Sequence, residues 1–380
     1  MDPAYAKSLT HKATADQGLP TSHKASPSFL QQLFSCGKSL TKLAKYALMA
    51  SAILSPESTV SASAKSSEIL PLLYSTPWTE TQYYTSMAFN PHNKREFAFG
   101  GINQIAIINV DKPDNPVILQ LDKECDGVID MNYNPQGTLL ASNCYGPVSI
   151  WDVESKTVTH SLNYSTDEGL FDTTGTKYVM RNGTIGIYDL STNSVTQAHI
   201  NGEEPFIINL ARAYKTNTFA HNTPDGTFVW HLDNPSQALE VKVDPRYTTL
   251  FRNEKELFSY TFGGQNIQFT NITDPNNQTV RSLQIKDGWI TRGACSEKLK
   301  KCFYTTTGNG LGYLVLSTID PDNLETKRLW NFTNFDHIQF SPPTFSPDGE
   351  TFFSVAHVNS TTLQFAYMDL KDLMKQTIAI

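Results

Sequence analysis

"PVSIWDVESKTVTHSL" (residues 147–162) alternates apolar and polar residues up to Trp151 and Asp152, breaks into a polar turn, and resumes alternation, the signature of a β-hairpin. The pattern recurs. Aligning the chain on the end of the first strand gives six more such segments: "QIAIINVDKPDNPVILQL", "TIGIYDLSTNSVTQAHI", "TFVWHLDNPSQALEVKV", "IQFTNITDPNNQTVRSLQI", "GYLVLSTIDPDNLETKRLW" and "LQFAYMDLKDLMKQTIAI". The equivalent residues Val110, Val153, Leu190, Leu232, Ile272, Ile319 and Leu370 lie 43, 37, 42, 40, 47 and 51 residues apart. A period of roughly 40 to 50 is that of a four-stranded propeller blade. Upstream of each hairpin sits a second one, such as "DMNYNPQGTLLASN" and "PTFSPDGETFFSVAH", with Pro or Gly setting the turn. Four strands in each of seven repeats account for residues 86–380, so the expected fold is all-β: a seven-bladed β-propeller of antiparallel four-stranded blades.

A single twisted blade is apolar on both faces and must be sandwiched between neighbours, which radial repetition achieves while leaving only short edges. Closing the ring requires the two ends to meet. "EILPLLYST" (68–76) and "QTIAI" (376–380) are the competing candidates for the outer strand of the last blade.

Several segments resemble known repeat families. "SIWDV" and "IGIYDLSTNSV" are similar to WD40 and YVTN repeats, "IINVDKPDNPVI" resembles the LVIVD repeat, and "FSPDGETFF" resembles TolB-type propeller segments. The resemblance covers most of the chain after residue 64 and implies propeller architecture rather than a particular activity.

The amino-terminal part differs in composition. Residues 1–64 are rich in Ser, Thr, Ala and Lys. They contain Lys38, Lys42 and Lys45, an apolar run from Tyr46 to Leu54, then Ala62-Ser63-Ala64. This charge, apolar core and small-residue order is that of a secretory signal (about 38–64), and the run is too short to span a bilayer. The expected organisation is therefore a presequence over 1–64 and one propeller domain over 65–380, with no transmembrane helix in the mature chain. The expected destination is secreted or periplasmic, or alternatively an organelle reached through the presequence.

With 21 Phe, 16 Tyr and 5 Trp, the chain can build a substantial core, and its formal charge of −7 argues against nucleic acid as a partner. After the presequence four cysteines remain. Their spacing does not match a zinc site. On the propeller topology Cys295 and Cys302 flank the first turn of blade six, while Cys125 and Cys144 reach the same rim of blade two. The expected disulfides are Cys125–Cys144 and Cys295–Cys302, with four free thiols the intracellular alternative. Six N-x-[ST] sequons (Asn163, Asn182, Asn271, Asn277, Asn331, Asn359) matter only along a eukaryotic secretory route.

Function in such a ring is expected where the inter-blade loops and the loops joining second and third strands meet around the channel mouth. The junctions carry Asp122, Asp126, Asp167, Glu168, Glu203, Glu204, Asp244, Asp287 and Asp336, an acid at each. The neighbouring loops carry Asn143, Tyr145, Arg181, Asn182, His221, Asn222, Asn309, His357 and Asn359, with Trp78, Tyr83, Tyr84, Tyr247, Trp289 and Phe335 interleaved. From these, Asp126, Tyr145, Arg181, Glu204, His221, Asp244, Tyr247, Asp287, Trp289, Asp336 and His357 form a candidate acidic, aromatic rim for a protein partner, aromatics supplying contact area and carboxylates steering. Asp and Asn also start turns by bonding to their own backbone.

No G-x-S-x-G elbow, H-E-x-x-H or phosphate-binding loop is present, so no catalytic residue is expected. "DPDN", "DPNN" and "DKPDNP" lie on outer turns of separate blades and cannot share one calcium ion. The leading expectation is a monomeric, non-catalytic protein-binding scaffold without cofactor or metal. Two alternatives stay open. A metal-assisted hydrolase or lactonase would use His221, His357, Asp244 and Asp336 at the channel mouth, and a ligand or glycan sensor would use the same rim.

Overall fold

A computed structural model describes residues 75–76 and 86–375, apart from 102, 114, 122–124, 126, 145–146, 164–165, 167, 183, 201–208, 287, 308–313, 333–339 and 360–361. The presequence and the "QTIAI" end lie outside the described residues. Seven antiparallel sheets of four strands follow one another along the chain, each in meander order. The opening hairpin is the outer half of blade two, Val148–Asp152 and Thr157–Leu162. The first strand of every sheet abuts the first strands of the sheets on either side, and Phe340–Phe345 of blade seven returns to Met87–Phe89 of blade one. The sheets therefore form a closed ring with the first strands lining its axis.

The ring closes with strands from both ends of the domain. Blade seven takes three strands from the carboxy-terminal side, Phe340–Phe345, Thr351–Asn359 and Thr362–Asp369. Its outermost strand is Ser75–Thr76, with Ser75 opposite Gln364 and Thr76 opposite Leu363. Of the two candidate closing segments, the amino-terminal one holds the place.

The last repeat corrects the sequence reading in one respect. Its second arm is not a strand but a short helix, α1, Leu370–Lys375. Asp369 caps it, its Oδ1 accepting the N–H groups of Lys371 (2.9 Å) and Asp372 (3.2 Å). Leu370, Leu373 and Met374 then fall at helical rather than alternating spacing. They pack on Phe303, Leu316 and Phe352, so the helix covers apolar surface between blades six and seven.

Among the described residues the core divides into seven apolar clusters, and each lies between two neighbouring blades. This is the packing that alternation on both faces of a sheet demands. At the closing seam Phe353 of blade seven meets Phe97 and Phe89 of blade one, with ring centroids 4.0 and 6.2 Å apart. Trp151, the indole of the opening hairpin, is 5% exposed and donates its Nε1–H to Ser142 Oγ at 3.0 Å. It is a core residue whose polar edge is satisfied within its own blade.

The first turns of several blades share one device. A short polar side chain at the end of the first strand accepts backbone N–H groups from the turn. Asn90 serves His92 and Asn93, Asn134 serves Thr138 and Leu139, Asp172 serves Thr176 and Lys177, and Ser346 serves Glu350 and Thr351. "SPDG" is thus a turn. Its Gly349 is required twice over, since φ is +65° and an added Cβ would lie 2.4 Å from the Cys295 carbonyl oxygen.

Both expected cysteine pairs come to bonding distance. Cys125 joins Cys144 across 5.4 Å of Cα separation, and Cys295 lies opposite Cys302 on the first two strands of blade six. Among the described residues no helix is long and apolar enough to cross a membrane.

Candidate functional site

The upper face of the ring is where each blade passes into the next. Of the residues expected to form its rim, Asp126, Tyr145, Glu204, Asp287 and Asp336 lie outside the described residues. His357 has a described backbone, in the second strand of blade seven opposite Leu363, but its side chain does not.

His221 is not on the rim. It is 0% exposed, its ring stacked on Phe228 with centroids 5.4 Å apart, and its Nδ1 accepts the Trp230 indole N–H at 2.9 Å. Blade two shows the same arrangement, with Ser142 in the place of His221 and Trp151 in that of Trp230. Burial pushes the His221 pKa down to about 4, so the imidazole stays neutral. Its role is that of a hydrogen-bond acceptor inside the core.

Asp244 is on the upper face but occupied. It accepts the Arg246 N–H at 3.0 Å and the guanidinium at 2.5 Å, contacts that lower its pKa to about 2. The loop it starts is pinned by the buried Asn222, whose Nδ2 donates to the Tyr247 carbonyl oxygen at 2.9 Å. Tyr247 is half-buried against blades four and five. Asn222 and Asp244 thus act as the turn-forming residues that the sequence allows.

Trp289 is exposed, at 47%, and it has a neighbour the sequence did not single out. Phe262, 65% exposed, sits on the loop joining the second and third strands of blade five. That loop is stitched to the first strand of blade six by two backbone bonds of 2.8 Å, Gly263 N–H to the Ile290 carbonyl and Ile290 N–H to the Gly264 carbonyl. Each aromatic residue is one position from this bridge. Two large exposed rings are therefore carried on backbone held rigid from two blades.

Below this mouth runs an axial cavity of about 1560 Å³, lined by first strands of all seven blades. Its wall carries a polar girdle. Asp130, Glu168 and Asn209 occupy the same repeat position in blades two, three and four, each opposite the penultimate residue of the second strand, respectively Asn143, Arg181 and Asn222. Each accepts a backbone N–H from the first strand of the following blade. Gly169 bonds to Asp130 Oδ2 (3.1 Å), Leu210 to Glu168 Oε2 (2.9 Å) and Thr249 to Asn209 Oδ1 (3.2 Å). The girdle stitches blades two to five along the axis by one repeated contact.

Its charges are unevenly matched. Asp130 Oδ2 also faces the amides of Asn132 and Asn143, both at 3.3 Å. Glu168 has Arg181 at 3.5 Å and keeps 28% of its side chain accessible. Arg292 enters from blade six, beside the Tyr260 hydroxyl, near enough to favour the charged form of both carboxylates. Burial outweighs this help. Asp130 is raised to about 6, and Glu168, with Asp130 nearby, to about 7.

Of the residues expected on the rim, Glu168 lines the channel, and Arg181 pairs with it from the second strand of blade three. Asp130, Asn209, Arg292 and Phe262 were not anticipated. Glu168 and Asn209 open their strands, but Asp130 is the third residue of Val128–Tyr133 and Arg292 the fourth of Trp289–Ser296, so no shared position in the sequence marks the set. Among the described residues no three His, Cys, Asp or Glu side chains group into a set that could hold a metal ion.

No family model matches the chain, and no curated protein matches it in sequence, so its WD40- and YVTN-like motifs stand as local resemblances. Solved structures do match. A chain from the crystal structure of the Mitotic Checkpoint Complex superposes with a TM-score of 0.58 at 16% identity, covering 83% of this chain and 98% of that one. The β-propeller domain of Cps50 (Swd1) from Myceliophteria thermophila gives 0.59 at 10% identity, covering 77% and 98%. At such identities the likeness is one of fold, and the chain is a seven-bladed β-propeller similar in architecture to both.

Proposed function

We propose that this chain is an exported, non-catalytic protein-binding module that receives its partner on the upper face. The observation that carries the reading is the pair of exposed rings, Phe262 and Trp289, held on bridged backbone at the channel mouth. Exposed aromatics on a rigid support lose little entropy on binding and dominate interface energetics. That one of the similar chains comes from a structure titled as a complex agrees with a role in assembly.

The test is a direct comparison of partner capture. Crosslinking in the exported compartment should trap a partner with the native chain. The Phe262→Ala/Trp289→Ala variant, melting at the native temperature, should bind that partner ~30-fold or more weakly, as loss of two interface anchors implies. Equal affinity in the folded double variant would overturn the assignment to this face.

Export is supported by the signal-like segment before Lys65 and by two cysteine pairs, which persist in oxidising compartments. Mass spectrometry of the chain recovered from outside the cytoplasm should show cleavage near Ala64 and no alkylatable thiol among Cys125, Cys144, Cys295 and Cys302. An intact amino terminus with four free thiols would refute export.

A further inference from the structure

We propose that the axial channel is a binding site for a small zwitterion of the α-amino-acid class, with Glu168 receiving the ammonium group and Arg292 the carboxylate. The inference does not rest on the protein-binding reading. It rests on three groups of the channel wall whose hydrogen-bonding capacity is unspent. Glu168 uses Oε2 for the Leu210 N–H and for Arg181, while Oε1 has no donor among the described residues. Asn209 uses its oxygen for the Thr249 N–H, while its amide N–H groups have no acceptor among the described residues. Arg292 is exposed to the channel and meets the Tyr260 hydroxyl, but among the described residues no carboxylate lies within ion-pair distance of its guanidinium, which leaves donors of its fork to spare.

Glu168 and Asn209 stand side by side on the neighbouring blades three and four, and Arg292 stands apart from them on blade six, on the wall of the same cavity. The arrangement discriminates by charge. A plain anion attracted to Arg292 meets Asp130 and Glu168, and a plain cation attracted to Glu168 meets Arg181 and Arg292. A molecule carrying both charges satisfies both Glu168 and Arg292. The guanidinium fork matches a carboxylate bidentately, and an ammonium offers three donors to Glu168 Oε1 and its surroundings. The cavity, about 1560 Å³, leaves room for a side chain beyond the two charged ends.

The experiment uses the full chain and each of the common L-amino acids at millimolar concentration, read by thermal shift and by isothermal titration. Acetate and methylammonium serve as probes carrying one charge each. At least one amino acid should raise the melting temperature, because a ligand of the native state stabilises it by mass action. Acetate and methylammonium should bind at least tenfold more weakly than that amino acid, since each lacks one of the two charge-assisted contacts.

Glu168→Gln keeps an oxygen for the Leu210 N–H, and Arg292→Lys keeps the charge but loses the fork. Each should weaken binding ~10- to 100-fold while leaving the ligand-free melting transition cooperative. The proposal is overturned if no amino acid binds, if acetate binds as tightly as the best amino acid, or if both folded variants bind as the native chain does.

Discussion

Phe353→Ala is expected to remove about 3–5 kcal/mol of folding stability, the usual cost of emptying a fully buried aromatic site. Phe353 is 1% exposed and fills the seam between the last blade and the first, touching Phe97 and Phe89. At the other six interfaces the chain runs on from one blade to the next. Here too the chain passes from one blade to the next, from Ser75–Thr76 of blade seven to Met87–Phe89 of blade one, but Ser75–Thr76 is joined to the rest of blade seven only by its two-residue pairing with Thr362–Asp369. Closure therefore rests on that pairing, on the ion pairs of Lys94 with Asp348 and Glu350, and on side-chain packing. A cavity there acts on the contact that makes the ring a ring. Urea unfolding followed by circular dichroism should show a lower midpoint with an unchanged slope. As a comparison, Val195→Ala on an exposed outer strand should change stability by no more than about 0.5 kcal/mol. If the two variants behave alike, the seam does not carry the load assigned to it.

The second large effect is a dependence of stability on pH that originates in the channel. Asp130 and Glu168 have ordinary values of 3.8 and 4.5 and are raised to about 6 and about 7 in the folded chain. Burial is the main cause for both. For Glu168 the nearby Asp130 adds to it, while Arg181 and Arg292 pull the other way. Between the ordinary and the raised values the native state holds more protons than the unfolded chain. By linkage, these two groups therefore make stability fall as pH rises from about 4 to about 7, after which the loss is complete.

Replacing both carboxylates with their isosteric amides removes the ionisation while retaining oxygens for the Gly169 and Leu210 N–H groups. The substitutions Asp130→Asn and Glu168→Gln should together stabilise the chain by ~1–3 kcal/mol near pH 8, with little change near pH 4. The two carboxylates interact, so their protons come off as a pair, and the double variant is the clean comparison. Thermal melts across that range measure the difference. A gain at pH 4 equal to that at pH 8 would show that the effect is not one of ionisation.

The architecture was legible from the sequence because it is written in local, repeated terms. Alternation sets strands, turn residues set hairpins, and a period near that of a blade sets their number, all read within about 50 residues of chain. The cysteine pairs followed because their neighbours in space were also neighbours in the repeat. Even the one misread element, the second arm of the last hairpin, carried its own signal in Leu370, Leu373 and Met374 at helical spacing behind a capping Asp369.

What depends on contacts between distant residues could be decided only by the tertiary structure. "EILPLLYST" and "QTIAI" are equally strand-like, and the ring takes Ser75 and Thr76 as its outer strand because they pair with Gln364 and Leu363. His221 and Asp244 look alike as polar residues near one rim. Packing buries the first beneath Trp230 and Phe228, and Arg246 engages the second. Asp130, Glu168 and Arg292 gather in one channel from positions up to 162 residues apart, although no local pattern links them. Sequence determines which residues a strand presents and with what period. The closed ring determines which of them meet, because only closure turns a repeated position into a wall around a common axis.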